Sequence, residues 1–172
     1  MSLQVIRVME TNEEAQTDLV YVDFVCKKYY SQQNVTYSDV FLGGKQNYSN
    51  KKIKNHILNL IKMNSKYGQS VVVYFIDSDQ DNLNFKMGSR GKNIIEYCLE
   101  NGYELVFFVS TIEHVFWKKK VDDKDKKEYS IKFINEKQCD NTSVYDLKKQ
   151  DPHNMETNIM LVLDKYLKKK IN

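Results

Sequence analysis

Apolar and polar positions alternate in blocks along the chain, and the blocks read as strands separated by helices. Leu3 to Met9 and Leu19 to Val25 are two apolar runs rich in β-branched and aromatic residues, separated by a polar stretch from Thr11 to Asp18; both are predicted as strands. Cys26 to Gln33 is predicted as a short helix, and Val35 to Leu42 as the next strand. After Gly43-Gly44-Lys45, Ser49 is placed to cap a helix in which Ile53, Ile57, Leu60 and Ile61 recur at helical spacing, with Gly68 closing it. Residues 70–76, SVVVYFI, are apolar on both faces and end in Asp77-Ser78-Asp79, the pattern of a central parallel strand covered by helices on both sides. A polar loop from Gln80 to Gly91 precedes a helix from Asn93 to Asn101 that stops at Gly102. Tyr103 to Val109 is again a doubly apolar strand, and Ser110-Thr111 can cap a helix running to Trp117, with Phe116 and Trp117 anchoring it on the core. Residues 118–128, KKKVDDKDKKE, read as an exposed loop, Tyr129 to Ile134 as a weaker strand, and Asn154 to Lys170 as a closing helix.

Strands alternating with helices predict an α/β fold: a doubly wound, mainly parallel sheet flanked by helices on both faces, three layers in all. At 172 residues, with one proline, six glycines and no repeat, the chain is expected to form a single domain over 1–172. Hydrophobic residues make up 41% and charged residues 28%, which excludes wholesale disorder. No apolar run approaches the ~20 residues that cross a bilayer, and the N-terminus lacks the pattern of a signal peptide, so no membrane association and a cytoplasmic location are expected. The three cysteines, Cys26, Cys98 and Cys139, suit neither a disulfide framework nor a zinc site. A net charge of +3 is too small to argue for nucleic-acid binding by itself, and the lysine runs read as solvated faces.

Ligands of open parallel sheets bind beyond the carboxyl ends of the strands. On the predicted elements Asp23 ends one strand, Asp77 and Asp79 end the central one, and Glu113 follows the next, so four carboxylates should converge on one edge. Such a cluster repels itself unless a hard cation such as Mg²⁺ or Mn²⁺ joins it. Gly43, Gly44 and Lys45 lie between a strand and a helix, where backbone can approach a phosphate and the lysine supplies charge. The spacing is not that of a P-loop. His56 and His153 read as surface groups, and so does His114, although its neighbour Glu113 would let it reach the acidic edge.

The order strand-acid (Val20-Tyr21-Val22-Asp23), Gly-Gly-Lys, strand-Asp-x-Asp (Asp77, Asp79), strand and Ser-x-x-Glu (Ser110, Glu113) resembles a TOPRIM domain, of the kind found in small RloB-like and OLD-nuclease-like proteins. The resemblance covers about residues 19–117, with the strand and helix of 128–170 as additions. It implies Mg²⁺ (or Mn²⁺) held by Asp23, Asp77 and Asp79, with Glu113 as the later catalytic acid. It also implies phosphodiester cleavage of DNA or RNA in a phage-defence or mobile-element setting. The family's first acid is typically Glu followed by Gly. Here Asp23 is assigned that place in preference to Glu10, at the end of the first apolar run, and Phe24 follows it. That departure motivates a second expectation, a non-catalytic binding or regulatory module that partners another protein.

Overall fold

The computed structural model describes residues 2–78, 89–135, 143–148 and 156–170, with the backbone only at 89–92. Its centre is a four-stranded sheet in which every neighbouring pair is parallel, ordered β2-β1-β3-β4. The strands are β1 (Ser2–Met9), β2 (Val35–Phe41), β3 (Gly68–Asp77) and β4 (Glu104–Phe108). The helices are α1 (Thr17–Tyr29), α2 (Lys51–Asn64), α3 (Ser89–Asn101), α4 (Ile112–Trp117), α5 (Lys126–Asn135) and α6 (Ile159–Leu163). The sheet and its helices form the expected three-layer α/β fold.

The pleat divides the core. Val5 and Met9 of β1 and Val73 and Phe75 of β3 pack on one face against α1, α4, α5 and α6. Ile6 and Val8 of β1 and Val72, Tyr74 and Ile76 of β3 pack on the other face against Ile57 of α2 and Ile94 and Cys98 of α3. Both faces of β1 and β3 are buried, which is why these strands read as nearly continuous apolar runs. By the same alternation Asp77, two residues after Phe75, falls on the α1–α4–α5 side.

Several expectations are corrected. Leu19 to Val25 is not a strand: residues 17–29 form one helix, whose buried positions Asp18, Tyr21, Val22, Val25 and Cys26 follow helical spacing. The topology demands this, because nine residues between Met9 and Leu19 are too few for the crossover that joins parallel strands. Residues 129–134 are likewise helical within α5, with Ser130 and Phe133 buried three apart and Ile131 and Ile134 exposed. The lysine-rich segment before it is not wholly exposed loop, since Val121 is buried and Asp123–Asp125 form a 3-10 turn leading into α5.

The C-terminal helix is shorter than predicted, because residues 156–158 run along the outer edge of β4 before α6 begins. There the Asn158 side chain takes the place of a strand neighbour, accepting from the Phe107 backbone N–H (3.0 Å) and donating to the Leu105 carbonyl (3.0 Å). The cap of α2 is Asn50 rather than Ser49; its side chain accepts from the Lys52 N–H. Among the described residues no helix is long and apolar enough to cross a membrane.

Candidate functional site

From β1 the chain moves outward to β2, and from β3 it moves the opposite way to β4, so the connections diverge beyond the carboxyl ends of β1 and β3. A crevice opens at such a switch point. Here it is a hollow of about 340 Å³ lined by Glu10, Asp18, Gly43, Gly44, Asp77 and Lys126, together with the Thr11 to Ala15 loop.

Each acid arrives from a different element. Glu10 follows β1 directly, and its Oε2 accepts a 3.0 Å hydrogen bond from the backbone N–H of Asp77 at the end of β3. Asp77 Oδ1 accepts from the Ile112 N–H at the start of α4 (3.0 Å), which locks β3 to the turn after β4. Asp18 stands in the first turn of α1. Glu113, in α4, is fully buried, and neither of its carboxylate oxygens has a hydrogen-bond partner. Lys126 Nζ, at the start of α5, lies 3.7 Å from Glu113 Oε2.

The electrostatics follow from burying several acids beside few cations. Burial, then the charges of Asp18, Glu10 and Glu113, push the Asp77 carboxyl well above its ordinary range against the pull of Lys126. Burial and then Glu113 push Asp18 up to about 7. Lys126 is held charged: burial works against it, but Glu113, Asp77 and Asp123 outweigh that and raise its pKa. The cluster therefore favours protons on Asp77 and Asp18, and Glu113 keeps two unused acceptor oxygens.

The glycine turn closes one side. Gly44 N–H donates to the Glu10 carbonyl (2.9 Å) and Gly43 N–H to the Thr11 carbonyl (3.2 Å). Both glycines have positive φ, 63° and 119°, conformations that a side chain disfavours. Lys45 Nζ reaches to 4.0 Å from Glu10 Oε2.

Of the residues expected from sequence, Asp77, Gly43, Gly44, Lys45 and Glu113 are thus brought to this edge. Asp23 is not. It sits in mid-α1, where its carboxylate accepts from Arg7 (3.0 Å) and pairs with Lys27. Burial raises the Asp23 pKa, but hydrogen bonds from Lys27 and Arg7 outweigh this and hold it below the usual range. Arg7, buried in β1, also forms a forked pair with Asp39 on β2 (2.6 and 3.0 Å), so Asp23 belongs to a structural ion network. Asp79 and His153 lie outside the described residues.

The sequence alone passed over Asp18 and Lys126 and ranked Glu10 behind Asp23. Glu10 was signalled by its place at the end of the first apolar run, and Asp18 by Thr-Asp ahead of an apolar segment, a helix-start pattern. Lys126 had no local signal. His114 is not a surface group: it is buried, its Nδ1 lies 2.5 Å from Ser110 Oγ, and its Nε2 has no partner. Burial lowers its pKa, keeping it neutral. His56 is exposed, and Phe116 is buried with Trp117 hydrogen-bonded to Tyr21 (3.1 Å), as expected of a helix anchored on the core.

Among the described residues no group of three or more His, Cys, Asp or Glu side chains is disposed to hold a metal ion. The donor chemistry nonetheless suits a hard cation of the Mg²⁺ type, which takes one or two carboxylates and completes its shell with water and substrate oxygens. Glu10 and Asp77, joined through the Asp77 backbone N–H, are the carboxylates that end β1 and β3. No family model, no curated protein and no solved structure matches this chain.

Proposed function

We propose that this chain is a TOPRIM-like, Mg²⁺-dependent phosphoryl-transfer protein, a nuclease acting on DNA or RNA. The observation that carries the reading is the meeting of Glu10 and Asp77 at the switch point of a 2-1-3-4 parallel sheet, hydrogen-bonded through the Asp77 backbone. An acid after the first strand and Asp-x-Asp after the third is the arrangement that the resemblance implies. The first acid is Glu10, a glutamate at the end of β1, in place of the Asp23 that sequence alone favoured; Thr11 follows it where the family typically has Gly. With Glu10 in that place the acid has the family's length, and the departure that remains is Thr11 in the glycine's position.

Glu10 and Asp77 would hold the cation, with Asp79 added by the resemblance. When bound, Mg²⁺ supplies positive charge that polarises the scissile phosphate. The chain's own groups do the rest. Lys126 and Lys45 offset the negative field that would otherwise repel an anionic substrate. Gly43, with open space where a Cβ would stand, lets a phosphodiester come close to the turn, whereas the Gln46 side chain covers Gly44. Glu113, buried beside the cleft with both oxygens unused, would act through Lys126, whose ammonium lies 3.7 Å away and is held charged by it.

The test is cleavage of single- and double-stranded DNA and RNA with and without Mg²⁺. Glu10→Gln and Asp77→Asn should each lower kcat by at least about a hundredfold with the fold intact, whereas Asp23→Asn should leave cleavage within about threefold. Mg²⁺-dependent cleavage that survives Asp77→Asn contradicts the assignment.

A further inference from the structure

Beside the acid cleft lies a larger hollow of about 430 Å³, bounded by Asp39 to Leu42 of β2 and its end, the loop after β1 and the start of α2. Asn12 and Gly43 line both hollows, which therefore adjoin at the glycine turn. Its apolar side is formed by half-buried Ile53 with Val40 and Leu42, which share the α2 face of the sheet, and its polar rim by the amides of Asn12, Asn47 and Asn50 with Lys52 and His56. Among the described residues β2 has β1 as its only strand neighbour, so its outer edge adds backbone donors and acceptors along the same hollow.

The charge has the sign that an anion requires. Lys51, Lys52 and Lys54 are exposed in the first turn of α2, which holds no acid. Cations at that end of a helix oppose its dipole, so helix stability does not account for them. Asp39 is neutralised by its forked pair with Arg7, which leaves Glu13 as the opposing charge in the lining.

We propose that this hollow is the subsite for the nucleoside adjoining the reacting phosphate, with the base against Ile53 and the next phosphate at Lys52 and His56. The inference rests on the phosphoryl-transfer reading and deepens it: the substrate is single-stranded nucleic acid at this point. A base paired and stacked in a duplex cannot enter a pocket, whereas an unstacked one can be held by an apolar face and polar edges.

The experiment compares two phosphodiesters on the full chain with Mg²⁺: a single-stranded oligonucleotide, as DNA and as RNA, and bis(p-nitrophenyl) phosphate, which carries no base. Ile53→Trp, which fills the hollow, and the surface double variant Lys52→Ala/His56→Ala should each lower the ratio of oligonucleotide to small-diester kcat/KM by about tenfold or more, chiefly through KM. An unchanged ratio overturns the subsite while leaving phosphoryl transfer standing. Hydrolysis of neither substrate by the wild type defeats phosphoryl transfer instead. Fluorescence anisotropy of the labelled oligonucleotide in EDTA then decides the subsite: the double variant should bind about tenfold more weakly than the wild type. Equal binding, or competition by duplex as effective as by single strand, overturns it.

Discussion

Asp18 shows what assembling the cleft costs the fold. Its carboxyl is raised from 3.8 to about 7, so between those values the folded chain holds more protons than the unfolded one. Stability that is fully present below about pH 4 is therefore lost as pH rises through about 7. Asp77 shifts in the same direction. Metal-free protein should accordingly have a higher urea midpoint at pH 5 than at pH 8, and Asp18→Asn should flatten that dependence and add about 1–3 kcal/mol at pH 8. A midpoint that rises with pH would contradict this. Arg7 gives the opposite case, a buried cation whose partners Asp23 and Asp39 need it. Arg7→Ala should cost about 3–5 kcal/mol in denaturant unfolding, because two partly buried carboxylates lose their counter-charge. The two aspartates also show what one residue type conceals. Asp23 and Asp77 look alike as strand-terminal acids in the sequence, and only the fold separates a structural ion pair from a cleft acid.

At the scale of elements, the sheet was legible where both faces are buried. Val71 to Ile76 and Leu105 to Phe108 show no helical period, and the structure makes both of them strands. Leu19 to Val25 misled because its β-branched residues favour a strand locally. The helix there wins through packing: Tyr21 contacts Phe116 and Phe133, with ring centroids 5.1 and 4.7 Å away. Tertiary contacts of that kind override local propensity and lie more than 90 residues away in the chain. That one misreading put Asp23 at a strand end, whereas the acid at the end of β1 is Glu10; Asp77 and the glycine turn reach the cleft edge because β3 and β2 end there. The shortened C-terminal helix has a similar cause. Residues 156–158 protect the β4 edge, with Thr157 Oγ1 donating to the Phe107 carbonyl (2.6 Å) beside the paired Asn158 amide. Asn158→Ala should cost about 2–3 kcal/mol and promote association through the uncovered edge, measurable by unfolding and light scattering.

At the scale of the whole molecule, the order β2-β1-β3-β4 does most to locate the chemistry. It sets the ends of β1 and β3 side by side while their connections diverge. It also brings Asp18, Glu113 and Lys126 to the same edge from three helices on one face of the sheet. The apolar pattern predicted a layered α/β fold, but it could not supply the strand order, which depends on which strands pair across the chain. Mg²⁺ titration followed by calorimetry, on the wild type, Glu10→Gln, Asp77→Asn and Asp23→Asn, tests the central claim most directly. Binding by the wild type and Asp23→Asn, weakened at least about tenfold in Glu10→Gln and Asp77→Asn, is the predicted result. Equal binding by all four proteins, or its loss only in Asp23→Asn, would contradict a cation site between β1 and β3.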